Sequence, residues 1–189
     1  MILPIYLYGQ PILRKVTKDI TPDYPGLKTL LDNMFETMYK ADGVGLAAPQ
    51  IGLEDRILVI DLNSIAKDDL TLKDFKKVFI NAHIIEKDGE EDNVEEGCLS
   101  VPKIREKVPR KNRIRIQYLD ENFHPHDEVY EGFKARVIQH EYDHLEGVMF
   151  VDYVSGIRKQ MIRSKLNKML KGEVDCSYKV KPVATKLKY

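Results

Sequence analysis

Two histidines and a glutamate are spaced so that they could hold a metal ion and move a proton. His140 and His144 are four residues apart, and Glu141 directly follows the first histidine. On an α-helix this spacing points both imidazoles from one face toward one place. Two such imidazoles bind a divalent transition metal, and the glutamate can accept a proton from water at that metal. The stretch predicts a hydrolytic metal site on a helix.

A catalytic site of this kind needs a third protein ligand from elsewhere in the chain and an open position for water. Cys98 is the natural candidate because a thiolate binds zinc or ferrous iron strongly. The alternative is an inert buried cysteine, which is the more common fate of a free intracellular thiol. The short Gly97–Pro102 stretch is conformationally constrained, which favours the ligand interpretation.

The composition is that of an ordinary globular domain. The chain has 189 residues, of which 43% are hydrophobic and 32% are charged. Two cysteines argue against a secreted disulfide scaffold, and no apolar run is long enough to cross a bilayer. The first residues lack the pattern of a signal peptide. We therefore expect a cytoplasmic protein without a membrane-spanning part.

The charges are unevenly distributed although they sum to zero. Residues 155–189 contain ten Lys or Arg residues and only two acids. Such an asymmetry favours a polyanionic partner, although a basic helix face can also simply be solvated.

Hydrophobic spacing predicts the elements that must position the metal helix. Leu27 to Met38 follow a helical pattern, residues 113–119 alternate as a half-buried strand, and a second long helix follows Ser155. Residues 78–80 look like a short strand and residues 88–92 like an acidic turn. We expect an α+β fold with small antiparallel or mixed β-sheets packed around a central metal-binding helix, plus an N-terminal and a C-terminal helix. We expect one catalytic domain over 1–171 and a loosely ordered basic tail over 172–189.

Residues 43–52 contain a G-x-G-x-x-A pattern that is also found in dinucleotide-binding proteins. That fingerprint requires a strand before the glycines and a helix after them, whereas here the predicted order is reversed. The better interpretation is a bare backbone along which the main chain of a ligand can lie, with the Gln50 amide beside it.

Three segments together resemble the signature motifs of peptide deformylases. They are Gly43-Val44-Gly45-Leu46-Ala47-Ala48-Pro49-Gln50, Glu96-Gly97-Cys98-Leu99-Ser100 and Gln139-His140-Glu141-Tyr142-Asp143-His144. Their order and spacing also match, and the resemblance covers about residues 1–170. The segment 63–77 looks longer than is usual in the family.

The resemblance implies a reaction and a set of roles. The substrate would be the N-formyl-methionine end of a nascent bacterial polypeptide, and the products would be formate and a free amino terminus. Glu141 would be the general base and then the general acid. The Gln50 side-chain amide and the Leu99 N–H would form the oxyanion hole. The metal, natively Fe²⁺ with Zn²⁺ or Ni²⁺ as replacements, would be held by Cys98, His140 and His144.

Positions within the motifs also suggest how the peptide binds. Val44, Phe133 and Val137 are expected as walls of an apolar slot for the methionine side chain. The peptide main chain is expected to lie as an added strand along Val44, Gly45 and Gly97. Arg105 is expected to face the outer part of the peptide, while Glu96 and Asp143 orient ligands or hold arginine partners.

Two other functions share part of this pattern. A zinc endopeptidase also uses His-Glu-x-x-His but takes its third ligand downstream, where Glu146 and Asp152 are poorly spaced. A non-catalytic ribosome or RNA adaptor with a structural metal would use four protein ligands. A deformylase could itself dock on ribosomal RNA through the basic C-terminal helix; neither DNA nor a membrane is an expected partner.

Overall fold

The architecture is that of a computed structural model in which residues 1–67 and 69–183 are described. These residues form helices and strands with the following bounds: β1 (Ile5–Tyr6), α1 (Leu27–Lys40), β2 (Gly45–Ala47), β3 (Ile57–Asp61), β4 (Lys76–Cys98), β5 (Val101–Leu119), β6 (Pro125–Glu131), α2 (Gly132–Leu145), α3 (Gly156–Leu170) and β7 (Val180–Lys181). Short 3-10 turns connect several of them, including two within the 63–77 segment.

The strands form two sheets of different kinds. Strands β2 to β6 make one antiparallel sheet in which each strand pairs with its neighbour in the chain. Strands β1 and β7 pair in parallel. The prediction of an α+β fold with mixed sheets and three main helices is confirmed.

The side chains of β3 explain why helix α2 is central. Successive side chains on a strand point to opposite faces. Leu58 and Ile60 pack in one cluster with Ile138 of α2, whereas Ile57 and Val59 pack in another with Met34 of α1 and neighbouring side chains. The sheet is therefore covered by a helix on each face. The strands that flank α2 place their side chains against the buried side of that helix.

A long hairpin replaces the predicted short strand and acidic turn. Strand β4 continues for 23 residues, and residues 88–92 lie within it, opposite the basic side of β5. A register shift between Asp88 and Glu91 marks a β-bulge, where Gly89 takes a φ of 76°. The turn prediction was wrong because this part of the strand is exposed on both faces, so no hydrophobic alternation marks it.

Helix α3 and the segment after it pack against the far part of this hairpin. Ile162, Leu166 and Met169 are buried with Val101 and Val108 of β5, whereas Leu170 at the end of the helix is 43% exposed. Beyond α3, strand β7 returns to pair with β1. The predicted loose tail extends to residue 189, and residues 184–189 lie outside the described part. No helix in the described ranges is long and apolar enough to cross a membrane.

Candidate metal centre and substrate cavity

Helix α2 presents His140, Glu141 and His144 on its buried side. All three side chains are nearly inaccessible, and His144 is 1% exposed. The helix ends before Gly147, which has a left-handed φ of 70°. A Cβ at Gly147 would lie 2.7 Å from the backbone of Arg14, so a glycine is needed for the chain to leave the helix here.

Cys98 reaches the same point from the end of β4, just before the tight turn into β5. One ligand atom from each of Cys98, His140 and His144 lies within 4.8 Å of the other two. The Sγ of Cys98 is 3.2 Å from Nε2 of His144. The structure therefore brings together the sulfur and the two imidazoles that the sequence singled out.

The chemistry of this cluster fits a divalent transition metal. One thiolate and two imidazoles are a donor set suited to zinc or ferrous iron. The Nδ1 of His140 is 2.9 Å from a carboxylate oxygen of Glu96, which leaves Nε2 as the atom for a metal. No fourth histidine, cysteine or carboxylate joins the cluster within the described ranges. A position for water is thus compatible with the donor set.

The carboxylate of Glu141 is buried beside this cluster and forms no ion pair with the described residues. Its Oε2 has no hydrogen-bond partner among the described residues. Burial raises the pKa of Glu141 to about 7, although the nearby His140 opposes the shift. A carboxylate with a pKa near neutrality is suited to both accepting and donating a proton.

Two hydrogen-bond donors lie close to Cys98. The carbonyl oxygen of Gln50 accepts a bond from the Ala47 N–H at 2.8 Å, which turns the amide NH₂ toward Cys98 Sγ at 3.5 Å and Ser100 Oγ at 3.2 Å. The backbone N–H of Leu99 donates to no acceptor in the described part of the chain. Both donors therefore lie close to the sulfur.

A cavity of about 570 Å³ opens onto the cluster. Apart from His144, every site residue that the sequence predicted lies on its wall: Val44, Gly45, Gln50, Gly97, Cys98, Leu99, Arg105, Phe133, Val137, His140 and Glu141. Phe133 is 40% exposed and Arg105 is bonded to Glu95 in solvent, so these two lie at the rim. Residues 176–178 also line the cavity, although no pattern in the sequence places them there.

A buried network of ion pairs stabilises the position of helix α2. Glu96 accepts hydrogen bonds from Arg110 at 2.6 Å and Arg136 at 2.7 Å, and Arg110 also bonds Asp143 at 2.8 Å. Burial opposes the charge on Glu96, but the hydrogen bonds from His140 and Arg110 outweigh it and lower the pKa of Glu96 to about 2. Glu96 thus stays ionised and fixes the orientation of the His140 ring.

The sequence suggested arginine partners for Glu96 and Asp143 but did not identify Arg110 or Arg136. The alternation of buried and exposed residues along β5 could have identified Arg110. Ile104 and Val108 are buried at even positions of the strand, and the same phase places Arg110 inside. Burying a charged arginine without a carboxylate partner costs free energy, so the inward position of Arg110 predicts an acidic residue beside it.

We expect Arg110→Met to lower the free energy of unfolding by about 3–5 kcal/mol, because two buried carboxylates lose their shared cation. Urea unfolding at neutral pH measures the change. The matched control is Arg105→Met, which removes the exposed pair with Glu95 and should cost less than about 1 kcal/mol. Equal stability of the two variants would show that the network contributes little.

The fold and this cluster define a class of protein, the hydrolases that work with one metal held by cysteine and histidine side chains. Comparison with known families is more specific. Residues 2–160 match the model of the family described as polypeptide deformylase.

Relatives and solved structures agree with this match. The chain is 51% identical over 188 residues to the peptide deformylase of Christiangramia forsetii, covering 96% of each chain. It is 51% identical over 193 residues to that of Flavobacterium johnsoniae, covering 98% of each. A crystal structure of a peptide deformylase from Legionella pneumophila superposes with a TM-score of 0.77 at 40% identity, over 89% of this chain and 95% of the other. The chain belongs to the polypeptide deformylase family.

Proposed function

We propose that the cavity beside α2 is where this enzyme removes the N-formyl group from the N-terminal formyl-methionine of newly made polypeptides and releases formate. The family match favours this activity over an endopeptidase or an adaptor. The observation that carries the site assignment is the buried Glu141 carboxylate next to the Cys98, His140 and His144 cluster, since its Oε2 has no hydrogen-bond partner among the described residues. An adaptor with a structural metal has no use for such a group.

Cys98, His140 and His144 would hold one divalent ion, and Fe²⁺ is proposed as the native metal, with Zn²⁺ or Ni²⁺ as replacements. When bound, such an ion supplies Lewis acidity that makes water a nucleophile at neutral pH. The donor set supports a transition metal over calcium or magnesium, which prefer oxygen ligands.

The protein groups around the cluster account for the proton transfers and for the charge on the formyl oxygen. Glu141 takes a proton from the attacking water and gives it to the amine that leaves. Gln50 and the Leu99 N–H donate hydrogen bonds to the formyl oxygen as negative charge builds there. Loss of one such donor typically lowers a rate by about 10²–10³-fold.

The geometry of β2 supports peptide binding as an added strand. Strand β2 is at the edge of the five-stranded sheet, and the Asp61 N–H donates to the Val44 carbonyl at 2.9 Å. In an antiparallel pair the next residue, Gly45, then turns its N–H and C=O away from β3. An extended peptide can bond these groups while Val44, Phe133 and Val137 surround the methionine side chain.

Purified, metal-loaded protein tests this function directly. It should release formate from a formyl-Met peptide and leave the internal peptide bonds intact, as judged by mass spectrometry. An acetyl-Met peptide of the same sequence is the control substrate. Cleavage of internal bonds would instead indicate an endopeptidase.

Gly45→Ala should lower kcat/KM by about 10²-fold, because the new methyl group would overlap Oε1 of Glu141 and displace that carboxylate. The same change made in a Glu141→Gln background should have a much smaller effect, since the displaced proton acceptor is already absent. Equal losses in both backgrounds would mean that Gly45 acts independently of Glu141.

The basic face of α3 supports a further proposal, that the enzyme docks on ribosomal RNA in the cytoplasm, where nascent chains emerge. Several cations on this helix are exposed, and three of them form neither an ion pair nor a side-chain hydrogen bond with the described residues: Lys159, Arg163 and Lys168. A surface of this kind attracts phosphates and releases counterions when it binds them.

Replacing these three residues with glutamine should weaken ribosome binding and reduce the salt dependence of the affinity by up to about three units of log–log slope. Sedimentation with ribosomes at several salt concentrations measures both quantities. The charge-matched control replaces three exposed lysines elsewhere, Lys28, Lys40 and Lys73. If the two triple variants bind equally, α3 is not the docking surface.

A further inference from the structure

The peptide group between Leu99 and Ser100 is held at both ends. Its carbonyl oxygen, on Leu99, accepts a hydrogen bond from the Tyr178 hydroxyl at 2.7 Å. Its N–H, on Ser100, donates to Cys98 Sγ at 3.4 Å. The peptide unit is planar and rigid, so a displacement of one end moves the other. A single peptide group thus connects Tyr178 to the sulfur of the metal cluster.

Backbone pairing directly after Tyr178 holds this residue beside the turn that follows Cys98. The Ile5 N–H donates to the carbonyl of Lys179, the residue after the tyrosine, at 2.9 Å. The Tyr8 N–H donates to the Ser100 carbonyl at 2.8 Å, so the same N-terminal segment also ties down the turn that follows Cys98. The tyrosine and the turn are therefore held in register by β1 and its extension.

We infer that Tyr178 is a positioning residue for the cysteine ligand, acting through the Leu99–Ser100 peptide group. A hydrogen bond to a carbonyl polarises its peptide unit and strengthens the N–H at the other end as a donor. Donors to a ligating sulfur withdraw charge from it and tune its bond to the metal. The inference rests on the proposed function, in which Cys98 is a metal ligand. It gives the segment after α3 a role in the metal centre.

Cobalt-loaded full-length protein tests this role without relying on activity. Co²⁺ bound to a thiolate gives a sulfur-to-cobalt charge-transfer band. Tyr178→Phe removes only the hydroxyl, so the sulfur regains charge and the band should shift to longer wavelength. Cobalt should also be lost to an excess of chelator about two- to tenfold faster, because the turn that positions the sulfur loses one hydrogen bond.

Tyr24→Phe is the matched control, because it removes a tyrosine hydroxyl that donates to Asp55 at 2.6 Å outside the site. Its band and its rate of cobalt loss should equal those of the wild type. Tyr178→Leu separates ring packing from the hydrogen bond: its band should shift as in the phenylalanine variant. An unshifted band and an unchanged chelation rate in Tyr178→Phe would overturn the inference.

The same spectra test the proposed role of Cys98 as a metal ligand separately from the role of Tyr178. If the wild type lacks the charge-transfer band, or if Cys98→Ala retains it, then Cys98 is not the ligand and the inference falls with that assignment. If the wild type shows the band and Cys98→Ala loses it, the response of Tyr178→Phe decides the inference alone.

Discussion

Glu141→Gln is expected to lower the rate of formate release by about 10²–10⁴-fold while leaving the metal bound. The glutamine keeps the shape of the side chain but cannot accept the proton of the attacking water. Residue 141 is not one of the three residues of the metal cluster, so the metal should remain bound in the variant. Because the group acts in the chemical step, the loss should appear in kcat more than in KM.

Formate assays with matched metal analysis measure both halves of this prediction. Glu131→Gln is the control, because Glu131 is exposed at the start of the same helix and its loss should leave the rate unchanged. A Glu141→Gln enzyme with wild-type turnover would remove the general base from the mechanism. It would favour a metal with a structural role.

Cys98→Ala is expected to reduce metal affinity by far more than the roughly 10–100-fold that follows loss of an outer partner of a ligand, and thereby to abolish turnover. Two imidazoles on one helix are too few to hold a catalytic metal. The sulfur is 3.2 Å from the Nε2 of His144, and no other histidine, cysteine or carboxylate among the described residues belongs to the cluster.

Cys176→Ala is the matched control for the thiol. Cys176 is the other free cysteine and lies on the wall of the same cavity, but it does not belong to the cluster. The Cys176 variant should keep one metal per chain as measured by elemental analysis. Metal retention by Cys98→Ala would point to a different third ligand.

The fold class and the metal cluster could be predicted because their signals are local or chemically specific. Helical spacing in α2 places two imidazoles together, and the need for a third ligand singles out Cys98. The apolar patterns of α1 and α3 are equally local. The family resemblance of three motifs then supplied roles for Gln50 and Leu99 that their residue types alone do not reveal.

Other features depend on pairing between distant parts of the chain, which a local pattern does not encode. The far half of β4 is stabilised by its partner β5 and carries charged side chains on both faces, so its sequence resembles a turn. Tyr178 approaches the Cys98 turn only because β7 pairs with β1, about 175 residues away in sequence. Two-residue strands of this kind give almost no periodic signal.

X-ray absorption at the metal edge of the purified, metal-loaded protein tests the central claim most directly. The proposal predicts one sulfur at about 2.3 Å and two imidazole nitrogens at about 2.0–2.1 Å for zinc, together with a light oxygen ligand from solvent. Cys98→Ala should remove the sulfur contribution. A first shell without sulfur, or one completed by a fourth protein ligand, would contradict the assignment of this site.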